Sequence, residues 1–173
     1  MSASMCLPSW FRFAQCLRKY HDTHQWFPNL AGAFKYFLKF IVITFYTLKH
    51  TCHHVQSPLC DWFFYFWVGV SFVSSMYAWI WDVWEDWGLF SRDAGDNFFL
   101  RKKLIYPKWF YYFAMVENFV LRFGWATSAW LTKSLPSPTH DHLLAVLFAS
   151  LKVFRRFIWN FLKMEMEHLK SKK

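Results

Sequence analysis

Three arginines stand inside apolar runs: Arg122 in "ENFVLRFGW", and Arg155 and Arg156 side by side in "SLKVFRRFIWNFL". An arginine at the centre of a membrane helix costs about 2.5 to 3.5 kcal/mol on insertion scales, so each needs a partner, an interface or a polar cavity. A guanidinium is a planar fork of donors suited to bidentate recognition of an oxyanion such as phosphate. Arg122 lies near the middle of its run, where snorkelling is hard in either direction. Trp125 follows at i+3 and shares its helical face, with Gly124 thinning the helix between them. Arg155 and Arg156 point about 100° apart on a helix. Either both border one cavity, or one or both turn to lipid phosphates. Lys152 stands one turn before Arg155.

Other charged groups complete the set. Lys35 and Lys39 lie one turn apart; Lys39 can snorkel, whereas Lys35 beside Tyr36 offers an anion two hydrogen-bonding heads. Asp82, Glu85 and Asp86 gather after another apolar run, with Asp82 and Asp86 at i, i+4. They could balance the arginines or coordinate a cation. Glu117 and Arg122 are five apart and share no helical face, which disfavours an intrahelical pair. "HTCHH" with Cys60 fits no usual zinc spacing. Cys52 and Cys60 fall in one expected loop, where a disulfide is an option. There is no P-loop and no nucleophile elbow. The expectation is a non-enzymatic protein with no cofactor and no metal site.

The elements that must hold these groups are apolar helices. Aromatic residues make up 24 % of the 173 residues and charged residues 18 %, below the roughly 25 % usual in soluble domains. Mean hydropathy is only +0.10 because the charges cluster between apolar runs. The net charge of +9 could mark a nucleic-acid binder, but the basic residues flank apolar runs instead of forming one stripe. The chain therefore reads as an all-α, polytopic membrane helix bundle with about four spans: 31–48, 62–81, 109–131 and 143–162. The second has twenty residues without a charge, about 30 Å of helix. Residues 8–22 read as an amphipathic interfacial helix, with Trp10, Phe13, Ala14 and Leu17 opposite Arg12, Arg18 and Lys19. Trp79, Trp81, Trp84 and Trp87 read as an aromatic belt, and "SLPSPTHD" at 134–141 as a turn.

Basic residues outside the spans divide twelve to two between the two sides, which puts both termini in the cytosol. "MSASMCLPSWFRF" lacks the pattern of a signal peptide. No repeat or domain boundary is visible.

Six blocks then carry a resemblance: "PSWFRFAQCLRKYHDT", "FKYFLKF", "IWDVWEDWGLF", "NFFLRKKLIYPKWFYYF", "ENFVLRFGW" and "VFRRFIWNFLKMEMEHL". In this order they resemble the EXS domain of the eukaryotic phosphate exporters, the family of the xenotropic and polytropic retrovirus receptor and its plant phosphate-loading relatives. The resemblance covers nearly the whole chain, as the C-terminal part of such a protein without its sensor (SPX) domain. It implies export of inorganic phosphate along a pathway lined by Lys35, Tyr36, Asp82, Arg122, Arg155 and Arg156, with Trp125 as the gate. It implies membrane lipids, a second copy or a full-length exporter as partners, in the plasma membrane or the Golgi. Alternatives are a truncated, non-conducting partner, or a Golgi factor for phosphate recycling and glycosyltransferase retention. Two departures from the family pattern stand out: Lys152 and Asn118 replace acidic residues.

Overall fold

The computed structural model describes residues 2–55, 60–90, 99–101, 104–127 and 138–171, with side chains over the same ranges except 2–6, 53–55 and 138–141. Among these residues there are helices and no strands: α1 (Ser2–Thr23), α2 (Trp26–Val55), α3 (Cys60–Trp81), a π-helical turn (Asp82–Asp86), α4 (Lys108–Arg122) and α5 (Pro138–Ser171). Two compact units emerge, Met1–Ala78 and Trp79–Lys173, with α3 running from one into the other.

In the first unit three helices run antiparallel in sequence order. α1 closes with His24 in the left-handed region (φ 52), whose N–H bonds the Tyr20 carbonyl at 2.8 Å, a common way to end a helix. The side-chain amide of Asn29 donates to Thr23 Oγ1 (2.9 Å) across this turn. Phe27 is extended (φ −106, ψ 133), since a residue before proline is excluded from the helical region. α1 then packs back along α2 through Phe13 and Trp10, whose rings lie 5.9 and 6.2 Å from Phe40. Leu7, Trp10, Phe11, Leu17 and Tyr20 stay exposed beside Arg12, Arg18 and Lys19. α2 and α3 pair through Phe34–Tyr77 and the stacked rings Phe45–Phe66, while the Tyr77 hydroxyl donates to the Ala31 carbonyl (2.8 Å). At the far end Lys49 sits among rings, 4.2 Å from Trp67 and 5.3 Å from Phe64.

The second unit has its own core of Val83, Trp87, Leu89, Leu100, Tyr111, Ala114, Met115, Ile158 and Leu162. It joins the π turn, the chain after it, α4 and α5. Pro107 precedes α4 in an extended conformation, its carbonyl accepting from Phe110 N at 3.0 Å. A buried polar cluster ties this core to the end of α5. Glu165 pairs with Arg101 (2.6 Å), and accepts from the Tyr111 hydroxyl (2.6 Å) and from Ile105 N (2.9 Å). Arg101 also donates to the Trp87 carbonyl at 2.9 Å. Gly88 turns the chain beneath Met166 with φ +60, and a Cβ there would collide with the Met166 side chain.

Two apolar stretches of 27 residues, Trp26–Cys52 and Cys60–Asp86, are long enough to cross a membrane. Only 17 % of either apolar window is buried, unlike the core helix of a soluble protein. The chain is an all-helical membrane protein. The expected spans 31–48 and 62–81 lie inside these stretches. Within the third, α4 has only 15 residues, too short to cross by itself, and the fourth carries Lys152, Arg155 and Arg156; 128–131 lies outside the described residues.

Several expectations change. α4 stops at Arg122, with Phe123 (φ −88, ψ 5) breaking the helix before residues 124–127 turn again. α5 begins at Pro138, inside the expected turn; 134–137 lies outside the described residues. Its 34 residues make about 51 Å, well beyond 143–162. α2 extends through "HTCHH", and Cys52 is a free thiol, so no Cys52–Cys60 bridge forms. The tryptophan belt dissolves: Trp87 is buried in the core, Trp79 Nε1 bonds the Met115 carbonyl (3.1 Å), and Trp84 faces outward. Packing within the unit outcompetes the interface for Trp79 and Trp87.

Candidate functional site

The charged residues of the second unit converge on one network. Asp82 opens the π turn, a wide turn that often marks functional positions. Its Oδ2 accepts from Arg122 Nη2 and, at 3.1 Å, from Asn118 Nδ2. Asn118 and Arg122 lie at i, i+4 on α4, so both reach the same carboxylate. Asn118 Oδ1 in turn accepts from Arg155 Nη1 of α5 at 3.0 Å. One buried amide thus links two arginines from two helices through a single aspartate. The Asp82 side chain is 3 % exposed and that of Arg122 15 %, so the pair is desolvated. Losing one partner of a buried pair costs about 3–5 kcal/mol.

Beside this network lies a pocket of about 300 Å³, lined by Leu121, Arg122, Gly124, Trp125, Phe148, Leu151, Lys152 and Arg155. At about 30 Å³ per water it holds roughly ten waters, or a tetrahedral oxyanion with part of its shell. Arg122 Nε is buried and has no hydrogen-bond partner among the described residues. An unpaired N–H on a guanidinium is costly, and an anion oxygen would satisfy it. The break at Phe123 does not part Arg122 from Trp125, since both line the pocket. Gly124 is less critical than its position implied. A Cβ there would meet Phe148 at an ordinary 3.6 Å.

Other candidates lie elsewhere. Arg156 is exposed and stacks its guanidinium 3.8 Å over the Trp159 ring, so the structure brings Arg155 to the pocket and Arg156 to an indole. Asp86 pairs with Lys163 (3.1 Å), taking a different partner from Asp82. Arg122 pairs with Asp82, while both Glu117 oxygens are buried without a hydrogen-bond partner among the described residues. Lys35 and Tyr36 belong to the first unit. Tyr36 carries the Lys39 ammonium 5.2 Å from its ring. Lys35 is half-buried near Cys16, whose thiol is pushed above its ordinary range by burial and pulled back in part by Lys19, Arg12 and Lys35.

Two contributors carry little signal in the sequence. Asn118 was visible only as a neutral departure, although its i, i+4 spacing from Arg122 could have marked it. Arg101 falls among the basic residues between two apolar runs, yet it is buried against Glu165.

Known proteins share this chain's pattern. It is 45 % identical over 167 residues to "Solute carrier family 53 member 1" of Mus pahari, and 44 % identical over 169 residues to the Homo sapiens protein of the same name. It is 42 % identical over 167 residues to "Xenotropic and polytropic retrovirus receptor 1 homolog" of Xenopus laevis. Each match covers 96 % of this chain and 24 % of the relative, so the chain spans about a quarter of their length. Residues 1–169 match the EXS family, and the chain belongs to that family.

Proposed function

We propose that this chain supplies part of a pathway for exporting inorganic phosphate across a membrane, with the Arg122–Arg155 pocket as its anion site and Trp125 as its gate. The observation that carries the reading is the buried, unpartnered Nε of Arg122 in a pocket that Arg155 and Trp125 also line. The names of the solute-carrier relatives support transport over catalysis. Phosphate itself rests on the family resemblance together with the donor geometry.

Phosphate would enter from the cytosol, the side to which the excess of basic residues assigns both termini in this proposal. It would exchange water for the guanidinium donors, pass Trp125 and leave outward. An anion leaving an inside-negative compartment gains about 2.3 kcal/mol per charge per 100 mV, so no coupling ion is required. Asp82 competes for the same guanidinium and keeps the anion from being held too tightly. Lys35, Tyr36 and Arg156 enter this proposal on the resemblance alone. Membrane lipids, a second copy and a longer family member are its proposed partners. The membrane is the plasma membrane or the Golgi, which imaging of the tagged chain separates.

Arg122→Ala is expected to abolish phosphate efflux from loaded cells or liposomes while the protein is still made and inserted. Efflux at the wild-type rate would overturn the assignment. Running the assay with the chain alone, and with a full-length relative co-expressed, separates a conducting element from a non-conducting partner.

A further inference from the structure

The pocket's charges are unevenly matched. Arg122 has the Asp82 carboxylate against it. Arg155 bonds Asn118 and feels the repulsion of Arg122 first, with the attraction of Asp82 and Glu117 after it. Lys152 lines the same pocket one turn before Arg155, and it makes no ion pair or hydrogen bond among the described residues. Two acids, Asp82 and Glu117, stand against the two arginines, and no acid pairs with the lysine among the described residues. Its ammonium is therefore the standing excess charge of the pocket.

We propose that Lys152 is the charge-selecting residue of this pocket, favouring a doubly charged oxyanion, hydrogen phosphate, over a singly charged one. The proposal rests on the reading of the pocket as an anion site. The physical reason is simple. The potential of a fixed charge acts once on a monoanion and twice on a dianion. A single added cation therefore strengthens dianion binding by the square of the factor by which it strengthens monoanion binding. A singly charged phosphodiester, the chemistry of a lipid headgroup, would gain only the smaller factor. Lysine suits this role because it is a compact point charge on a flexible stem, able to follow the anion without fixing its geometry. The arginines supply the directed hydrogen bonds.

The test uses the whole chain in nanodiscs of zwitterionic lipid. Competition against labelled phosphate is measured for sulfate, a dianion, and for dimethyl phosphate, a permanent monoanion that mimics a lipid headgroup. Lys152→Met is expected to weaken sulfate and phosphate about tenfold and dimethyl phosphate about threefold at low salt, with the gap narrowing as salt rises. Lys152→Arg keeps the wild-type ratio. Lys152 is exposed and makes no contact the fold needs, and elution as a single species checks that each variant is intact. Equal losses for all three anions, or no loss, overturn charge selection. A wild-type preference for dimethyl phosphate assigns the site to lipid and also overturns it. If Arg122→Ala abolishes phosphate binding while Lys152→Met changes nothing, this inference falls and the pathway reading stands. If the wild-type chain binds no phosphate, both fall.

Discussion

Asn118 does two jobs with one amide. It donates to Asp82 and accepts from Arg155, so its two ends are fixed by groups of opposite charge. Asn118→Leu fills the same space without either bond and leaves a carboxylate and a guanidinium short of partners. The expected cost is about 1–3 kcal/mol, read as a lower melting temperature in detergent, with phosphate binding weakened as Arg155 loses its anchor. Unchanged melting and binding would remove the amide from the network. The arginines were legible in the sequence because a charge in an apolar run demands a reason. Asn118 was not, because a neutral amide in such a run is unremarkable until its neighbours are known. Nor could sequence choose between Arg155 and Arg156. Trp159, at i+3, captures the second by stacking, and that competition depends on which way α5 is turned.

At the scale of elements, the helices were readable and their ends were not. Arg122 in the last turn and Gly124 just past Phe123 are local stop signals, but apolar residues on both sides of them read as one continuous span. The π turn at Asp82–Asp86 is likewise invisible in a run that suits an α-helix. The reach of α5 past the apolar region follows from its second job, the Glu165 cluster, which only tertiary contacts reveal. That cluster joins α5 to α4 and to the chain before it through three partners of one carboxylate. Glu165→Ala strands the Arg101 guanidinium in a site where its side chain is 9 % exposed. A loss of about 3–5 kcal/mol is expected, seen as a large drop in melting temperature. A variant that melts like the wild type would show that water readily replaces the carboxylate.

Across the whole molecule, membrane character was the most legible property, because twenty residues without a charge leave few alternatives. The number of crossings was the least legible, since the charged runs at α4 and α5 can be read as spans or as protein-lined segments. Two measurements address this scale. The chain is expected to stay with the membrane pellet after alkaline carbonate extraction. Tags at both ends are expected to become accessible to antibody only after the cell is permeabilised. Release into the supernatant would contradict the apolar stretches, and labelling of intact cells would reverse the orientation.

The break at Phe123 has a mechanical consequence. A continuous helix would weld Trp125 to Arg122, so that moving the indole meant moving the guanidinium and tearing it from Asp82. With the ladder interrupted, the dihedrals of one residue separate the two side chains. A turn of the indole about Phe123 need not break the Arg122–Asp82 pair. In the pathway proposed above, blocking and holding would then be separable operations, each alterable without dismantling the other.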